Sequence, residues 1–595
     1  MLISLRPARR VITIMCLLVT AHASAQPAVG LSGTVIDLNG KPLAQAQVTI
    51  ETADDHAGAD AITVFSANEG RFSFPETFSP GERLEGSLGV RALGYEQLNV
   101  LLQTRGDQVD ATIVMRKTSN QAAAAPASAW LEGIGNRDEK ARFVLNCVGC
   151  HQVPAPEVRA YAAQIAAVDV ADPAAVSEQS WLAIVHYMNY LSNWEFGRAN
   201  RGGPPDDAAH AYSVGPGEEV ARTMARHFVG SMDELSGYGY GAPLIVTADT
   251  VIREYEVTET NAIREAMMLG SPAKLWVADV STNRMYGIDV ASGEQEVHDV
   301  PYDGASGPHS LHRAADGSLW ITPFFPSVIA RLDPDETSFK TWPTVTGEGQ
   351  AIGIHDLSFG SKHELLADRN GLYWYSDIRN NAVGWFNPEN GNAAIYRAPE
   401  IDGRSGSRAL LYGLIMTSDR KHIWYSQLGI GSFGSFNVET REFETRVTLP
   451  MADAGPRRLT ISDDDIMYVP LYGSGQLIEY DTRARKQLGI YDLPDTGSAP
   501  YAVTWDPVRR VVWVATSNAD AIYRFDPETR SFGVIPMPRA GAFLRMIDID
   551  PASGVLVTSY ANIVEFVHGP RMALIVDPGD GAYGSGIAGA AGASR

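Results

Sequence analysis

Between residues 244 and 577 the chain repeats itself with a period that few folds accommodate. An aromatic or apolar anchor recurs at Trp276, Trp320, Trp374, Trp424, Tyr468, Trp513 and Leu556, at intervals of 44, 54, 50, 44, 45 and 43 residues. Each anchor sits in a strand-like run, and a turn and a second run lead on to Asp/Asn-Pro or an equivalent turn. Periods of about 40–50 residues containing several short strands are those of β-propeller blades. Seven anchors predict seven blades. The run Val251 to Val257 precedes the first repeat and predicts the outermost strand of the last blade. Closing the ring in this way removes the sheet edges that an open stack exposes.

The innermost strand of each blade starts 11 or 12 residues before its anchor in six blades and 19 before it in the third. That position reads Arg264, His309, His355, Tyr412, Arg457, Tyr501 and Arg545 around the ring. Seven polar or cationic groups, none acidic, then face one mouth. Guanidinium forks suit carboxylate or phosphate, so the mouth is a candidate anion site. The bland alternative is a wet channel whose lining is polar only because water fills it. Three residues past the third anchor lies Asp377. Antiparallel pairing predicts that Asp377 lies near His355, orients its ring and raises its basicity. His355 is the expected general base and His309 its helper.

A different chemistry is written in Cys147-Val148-Gly149-Cys150-His151. Two thiols two residues apart, followed at once by histidine, read as a covalent c-type haem attachment site. Each thiol adds across one porphyrin vinyl group, and His151 falls under the iron as proximal ligand. Zinc needs further ligands at suitable spacing, and no second Cys/His pair is present. A redox Cys-x-x-Cys or a plain disulfide is the other alternative. The candidate distal ligand is Met188, on the face that carries Trp181, Ile184, Val185 and Leu191 at helical spacing. Its rivals are Met224, His227, Met232 and His210.

The N-terminus has a basic start (Arg6, Arg9, Arg10), an apolar run from Val11 to Ala21 and the small-x-small pattern Ala23-Ser24-Ala25. This predicts a cleavable signal over residues 1–25 and a periplasmic protein, matching the compartment in which haem c is attached. The third cysteine, Cys16, lies within that run. No later stretch approaches the roughly 20 apolar residues of a membrane span, so none is expected. The formal charge of −22, from 48 Lys+Arg against 70 Asp+Glu, disfavours nucleic acid and anionic membranes as partners.

With 595 residues the chain is expected to be multidomain and mainly β. Residues 30–117 alternate like half-buried strands, as in Leu31 to Asp37, Gly70 to Phe74 and Val109 to Val114, and predict a small β-sandwich. Residues 118–130 are Ala-rich and read as a linker. Residues 131–236 carry three helical runs, Ala141 to Cys150, Ser177 to Trp194 and Gly217 to Val229, and predict a small α-helical haem domain. Gly237-Tyr238-Gly239-Tyr240-Gly241 reads as a second linker, ahead of the seven-bladed β-propeller at 244–577. The Gly/Ala/Ser-rich tail, 578–595, reads as disordered.

Three resemblances follow from these residues. With Gly40-Lys41-Pro42-Leu43 and Gly94-Tyr95, the first segment resembles the carboxypeptidase regulatory-like domain, which implies an interaction or spacer role. Three helices around one Cys-x-x-Cys-His resemble a small class I cytochrome c domain. Through Gly307-Pro308-His309-Ser310-Leu311, Asp316-Gly317-Ser318-Leu319-Trp320 and Ile329-Ala330-Arg331-Leu332-Asp333-Pro334, the propeller resembles virginiamycin B (streptogramin) lyase. That family opens a lactone by β-elimination with histidine and bound magnesium. It carries Pro-His at two adjacent inner-strand starts and an acid at one strand end, matched here by His309, His355 and Asp377. The departures are Ile354 where the family has proline, Asp for Glu, and a pair placed early in the ring. Three functions are therefore carried forward. One is a haem-linked oxidoreductase whose mouth binds an anionic or phenolic small molecule and whose haem passes electrons to a periplasmic partner. The others are a lyase or hydrolase with an accessory cytochrome, and a non-catalytic electron-transfer scaffold.

Overall fold

The computed structural model describes residues 29–52, 58–78, 88–169, 177–199, 217–228, 234–258, 260, 263–270, 273–280, 283–302, 307–324, 328–335, 338–346, 349–350, 353–399, 409–561 and 571–583, with only the backbone of 167–169, 189–199, 217, 264, 345–346 and 349–350. The expected signal segment, Cys16, His210, Met232 and residues 584–595 lie outside the described residues. The protein is mainly β. Six antiparallel four-stranded sheets follow one another along the chain from Ile263 to Pro536. A seventh is made of Asp548–Ile549, Leu556–Ser559, Met572–Asp577 and, on the outside, Val251–Glu256. The N-terminal strand of the repeat region thus completes the last blade, with Ile252 opposite Val576.

The anchors recur because each fills the same place. Trp276, Trp374, Trp424 and Trp513 are fully buried between blades. Their indoles also explain the acid in the preceding turn. Trp374 Nε1 donates to Asp368 and Trp513 Nε1 to Asp506, both at 3.1 Å. A buried indole N–H needs such an acceptor.

The N-terminal segment forms two sheets. One holds Arg71–Phe78, Val29–Asp37, Gln108–Lys117 and Tyr95–Arg105; the other holds Ala61–Phe65, Gln47–Glu51 and Leu88–Arg91. The second sheet does not end there. Ala61–Phe65 pairs antiparallel with Val251–Glu256, so blade seven and this sheet are one seven-stranded sheet. The shared strand leaves neither neighbour with an open edge at this point.

The helical segment holds four helices among its described residues: Arg137–Cys147, Pro156–Asp169, Glu178–Ala199 and Gly217–His227. The second was not expected. Its buried face is Val158, Ala162 and Ala166, a helical spacing whose alanines give little hydrophobic contrast in sequence. Asn136 caps the first helix by accepting from Glu139 N at 2.9 Å. The apolar core of these helices, with Val144, Val148, Trp181 and Val185, runs without a break into Tyr412, Tyr472, Tyr501 and Phe543 of the propeller.

Both expected linkers are folded onto this junction. Ala127 to Leu131 are buried in a 3₁₀ turn, and Ser128 Oγ donates to Asp495 at 2.5 Å. Tyr238 donates to the same carboxylate at 3.1 Å. Buried Ala127 and Ala129 serve here for close approach, as does Gly241, where a Cβ would meet the Pro494 carbonyl at 2.6 Å. The start of the expected disordered tail is also ordered, since Tyr583 donates to Asp506 at 2.9 Å. Among the described residues no helix is long and apolar enough to cross a membrane.

Candidate functional site

The propeller mouth brings most of the expected positions together. The His309 and His355 rings are 4.6 Å apart, and the His355 ring is 3.7 Å from that of Tyr412. Arg457 Nη1 donates to the Tyr412 hydroxyl at 3.1 Å. The Tyr412 and Tyr501 hydroxyls are hydrogen-bonded to each other, and Arg545 Nη2 donates to Tyr501 at 2.5 Å. These six residues come from six consecutive blades and form one continuous arc, as strand starts of equal depth must. The side chain of the seventh, Arg264, lies outside the described residues.

Arg457 is the best-fixed member. Its guanidinium lies 3.8 Å from the Tyr472 ring centroid and 4.1 Å from that of Tyr501, in the corner between two rings that stand at 89° to each other. Arg457 is 1 % exposed. Burial opposes ionisation of the Tyr501 phenol, but Arg545, Arg457 and Arg458 outweigh it and bring it down to about 8. A phenol that ionises this early reports a strongly positive local field.

The expected pairing of Asp377 with His355 is not formed. Asp377 accepts from Asn380 N at 2.9 Å and from Asn380 Nδ2 at 2.7 Å, closing the turn that follows its own strand. Strand pairing places Asp377 opposite Ile354, and His355 turns the other way. His355 is 1 % exposed, and among the described residues neither ring nitrogen has a hydrogen-bond partner. Burial first, then His309, Arg458, Arg545 and Arg457, hold its pKa well below the ordinary histidine value, so it is neutral at pH 7.

The acid near the mouth is instead Glu265, which the sequence reading missed. It ion-pairs with Arg458 and lies 3.9 Å from His309 Nδ1. It also accepts from Leu311 N at 2.9 Å. Its signal was available, since it follows Arg264 by one residue on the first inner strand. Below it a cavity of about 50 Å³ is lined by Glu265, His312, Asp356, His363, Arg458 and Asp548. His312 Nε2 is 3.0 Å from Asp356, and Arg313 pairs with Asp548.

The Cys-x-x-Cys-His loop sits against this mouth. Tyr472, whose ring covers Arg457, donates its hydroxyl to the carbonyl of Val148 between the two cysteines. Cys147 and Cys150 are not joined in a disulfide. Burial against the apolar core pushes the Cys147 thiol up to about 12, which sets it apart from a reactive redox thiolate. His151 is buried and its Nδ1 is 2.7 Å from the Gln152 carbonyl. A carbonyl only accepts, so Nδ1 carries the proton and Nε2 keeps the lone pair that a metal takes. Adjacent thiols and an imidazole in this tautomer fit a covalent haem. Met188 is half-buried on the same helix face as Trp181, Ile184 and Val185. Of its described rivals, Met224 is buried in the core and His227 Nε2 lies 3.7 Å from Glu139. Among the described residues no group of three His, Cys, Asp or Glu is arranged to hold a metal ion, so zinc at the thiols and magnesium in the mouth have no such ligand set there.

No known family model matches the chain, and no curated protein matches it. Solved propellers are similar in fold. Selenomethionine-substituted virginiamycin B lyase from Staphylococcus aureus is 15 % identical, with a TM-score of 0.44, over 55 % of this chain and 98 % of that one. A streptogramin B lyase structure is 16 % identical, with a TM-score of 0.45, over 55 % of this chain and 97 % of that one. The WD40 repeats of RRP9 are 11 % identical, with a TM-score of 0.43, over 56 % of this chain and 98 % of that one. These likenesses concern the propeller and carry no activity over to this chain.

Proposed function

We propose that the chain is an exported, periplasmic oxidoreductase in which the propeller mouth binds an anionic or phenolic small molecule and the helical domain holds one covalent haem c that accepts its electrons. The observation that carries this reading is the contact of Tyr472 with both sites. Its hydroxyl is bonded to the peptide between Cys147 and Cys150, and its ring lies on Arg457 in the mouth. A haem domain seated on an anion pocket is best explained by transfer between them.

The residues then have distinct tasks. Arg457 and Arg545 hold the negative end of the ligand with charge-assisted hydrogen bonds. His355, neutral and buried, takes the proton of a ligand hydroxyl, and His309 packs beside it. The helices of the haem domain cover part of the mouth and exclude water, which strengthens each of these interactions. Cys147 and Cys150 would attach the haem, and His151 and Met188 would ligate its iron. When bound, haem c supplies a one-electron acceptor. Electrons leave to a periplasmic redox partner.

The test is a visible spectrum of the purified protein, followed by a screen of small carboxylates and phenols for haem reduction, with Arg457→Ala beside wild type. Covalent haem that a mouth ligand reduces in wild type, and much more slowly in the variant, supports the reading. Loss of all haem on acid-acetone extraction, or equal reduction in both proteins, overturns it.

A further inference from the structure

The segment that follows His151 is held by the propeller. Gln152 Nε2 donates to Asp520 Oδ1 at 2.7 Å and to the Ala542 carbonyl at 3.2 Å. Val153 N donates to Asn518 Oδ1 at 3.0 Å, and Asn518 Nδ2 returns a bond to the Val153 carbonyl at 3.3 Å. Asn518 is itself fixed by donating to the Gly497 carbonyl at 3.2 Å. Asp520 is fully buried, and its other contacts complete the clamp. It accepts from Ala542 N at 2.8 Å and pairs with Arg91 of the N-terminal sheets at 3.2 Å. Three parts of the chain therefore meet on one carboxylate.

The clamp bears directly on His151. The acceptor of its Nδ1 proton is the Gln152 carbonyl. That carbonyl belongs to a residue whose side chain is fixed at one end of the peptide and whose successor, Val153, is fixed at the other. The helical domain supplies the imidazole, and the propeller fixes where its hydrogen-bond acceptor lies. The strength of such a bond sets how much electron density an imidazole gives a metal, and thereby the metal's potential.

We infer that Asn518 and Asp520 are positioning residues for His151: the propeller, through Gln152, sets the orientation of the proximal imidazole and so tunes the haem potential. This rests on the haem reading above and extends it. The same loop leads to the mouth. Ser517, next to Asn518, donates to the Leu544 carbonyl at 2.8 Å, beside Arg545. Ser517 N donates to the Ala499 carbonyl at 3.0 Å, two residues before Tyr501.

The experiment is a redox titration of the full-length haem-loaded protein with artificial mediators, which needs no substrate. Variants are Gln152→Ala, Asn518→Ala, Asp520→Ala and Asp520→Asn, with folding checked by circular dichroism. Arg137→Ala is the control, because it removes the contact of Arg137 with Asp492, between the same two domains, and involves none of the clamp residues. Gln152→Ala, Asn518→Ala and Asp520→Ala are expected to raise the midpoint potential, since a loosened acceptor leaves the imidazole a weaker donor. Asp520→Asn keeps an oxygen for Gln152 and is expected to stay near wild type. A wild-type potential in folded Gln152→Ala and Asn518→Ala overturns this inference and leaves the haem reading standing. So does an equal shift in Arg137→Ala, which would mark a docking effect alone. Wild-type protein without haem overturns both.

Discussion

The Tyr472 hydroxyl donates its hydrogen bond to the carbonyl of Val148, so a residue at the rim of the fifth blade is bonded to the peptide between Cys147 and Cys150. The two residues are 324 positions apart in the chain. The same Tyr472 ring covers the Arg457 guanidinium, and its edge meets Tyr501 with ring centroids 5.7 Å apart. One side chain therefore joins the Cys-x-x-Cys-His loop to the propeller mouth. Tyr472→Phe keeps the ring and leaves a buried carbonyl without its partner. It is expected to cost about 1–3 kcal/mol in chemical denaturation, and Tyr472→Leu more, because it also uncovers Arg457.

Covalent attachment is tested at the two thiols. A Cys147→Ala/Cys150→Ala protein is expected to lose all haem on acid-acetone extraction. Retained haem would show that neither thiol holds it.

Met188→Ala is expected to abolish the long-wavelength absorption band that marks thioether ligation of a ferric haem. An unchanged band would place the distal ligand elsewhere, with Met224 as the next residue to vary.

The two roles assigned in the mouth separate kinetically. Arg457→Ala removes a buried charge-assisted donor worth roughly 1.5–3 kcal/mol, so anion affinity should fall on the order of 10- to 100-fold. His355→Ala should lower turnover with a modest change in affinity, because its neutral ring is assigned the proton and not the charge. Equal effects of both variants on affinity alone would remove His355 from proton transfer.

The field of the mouth should be visible in its pH dependence. Tyr501 is brought down to about 8 by the surrounding arginines. Ionised Tyr501 partly neutralises those arginines, so anion binding is expected to weaken as pH rises through about 8. The stability sign is the opposite. A folded pKa below that of the unfolded phenol stabilises the fold fully above the unfolded value of about 10, and this contribution is lost as pH falls through about 8. Ultraviolet titration of tyrosinate, with Tyr501→Phe as reference, checks both. His355 acts at lower pH. With its folded pKa well below 6.5, unfolding takes up a proton, so this group costs stability as pH falls below about 6.5.

What could be read from the residues alone was whatever repeats or lies close in sequence. The anchors give the blades because an inter-blade cavity of fixed size needs a large side chain at each turn of the repeat. The inner-strand starts give the mouth because equal depth in each blade means equal height on the axis. Cys147, Cys150 and His151 fall within five residues, so the haem reading proposed for them rests on local spacing and needs no fold. The expectation for Asp377 failed one step further on. Strand pairing puts it near His355 along the chain, but pleat direction decides which side chains meet, and Asp377 closes its own turn with Asn380. The tertiary structure decided what rests on distant partners: Glu265 against Arg458, Val251–Glu256 shared between blade seven and the N-terminal sheet, and the helical domain seated on the mouth. Those contacts depend on how sheets and helices pack once formed. The alanines and glycines that permit such close packing look, in sequence, like the alanines and glycines of a linker.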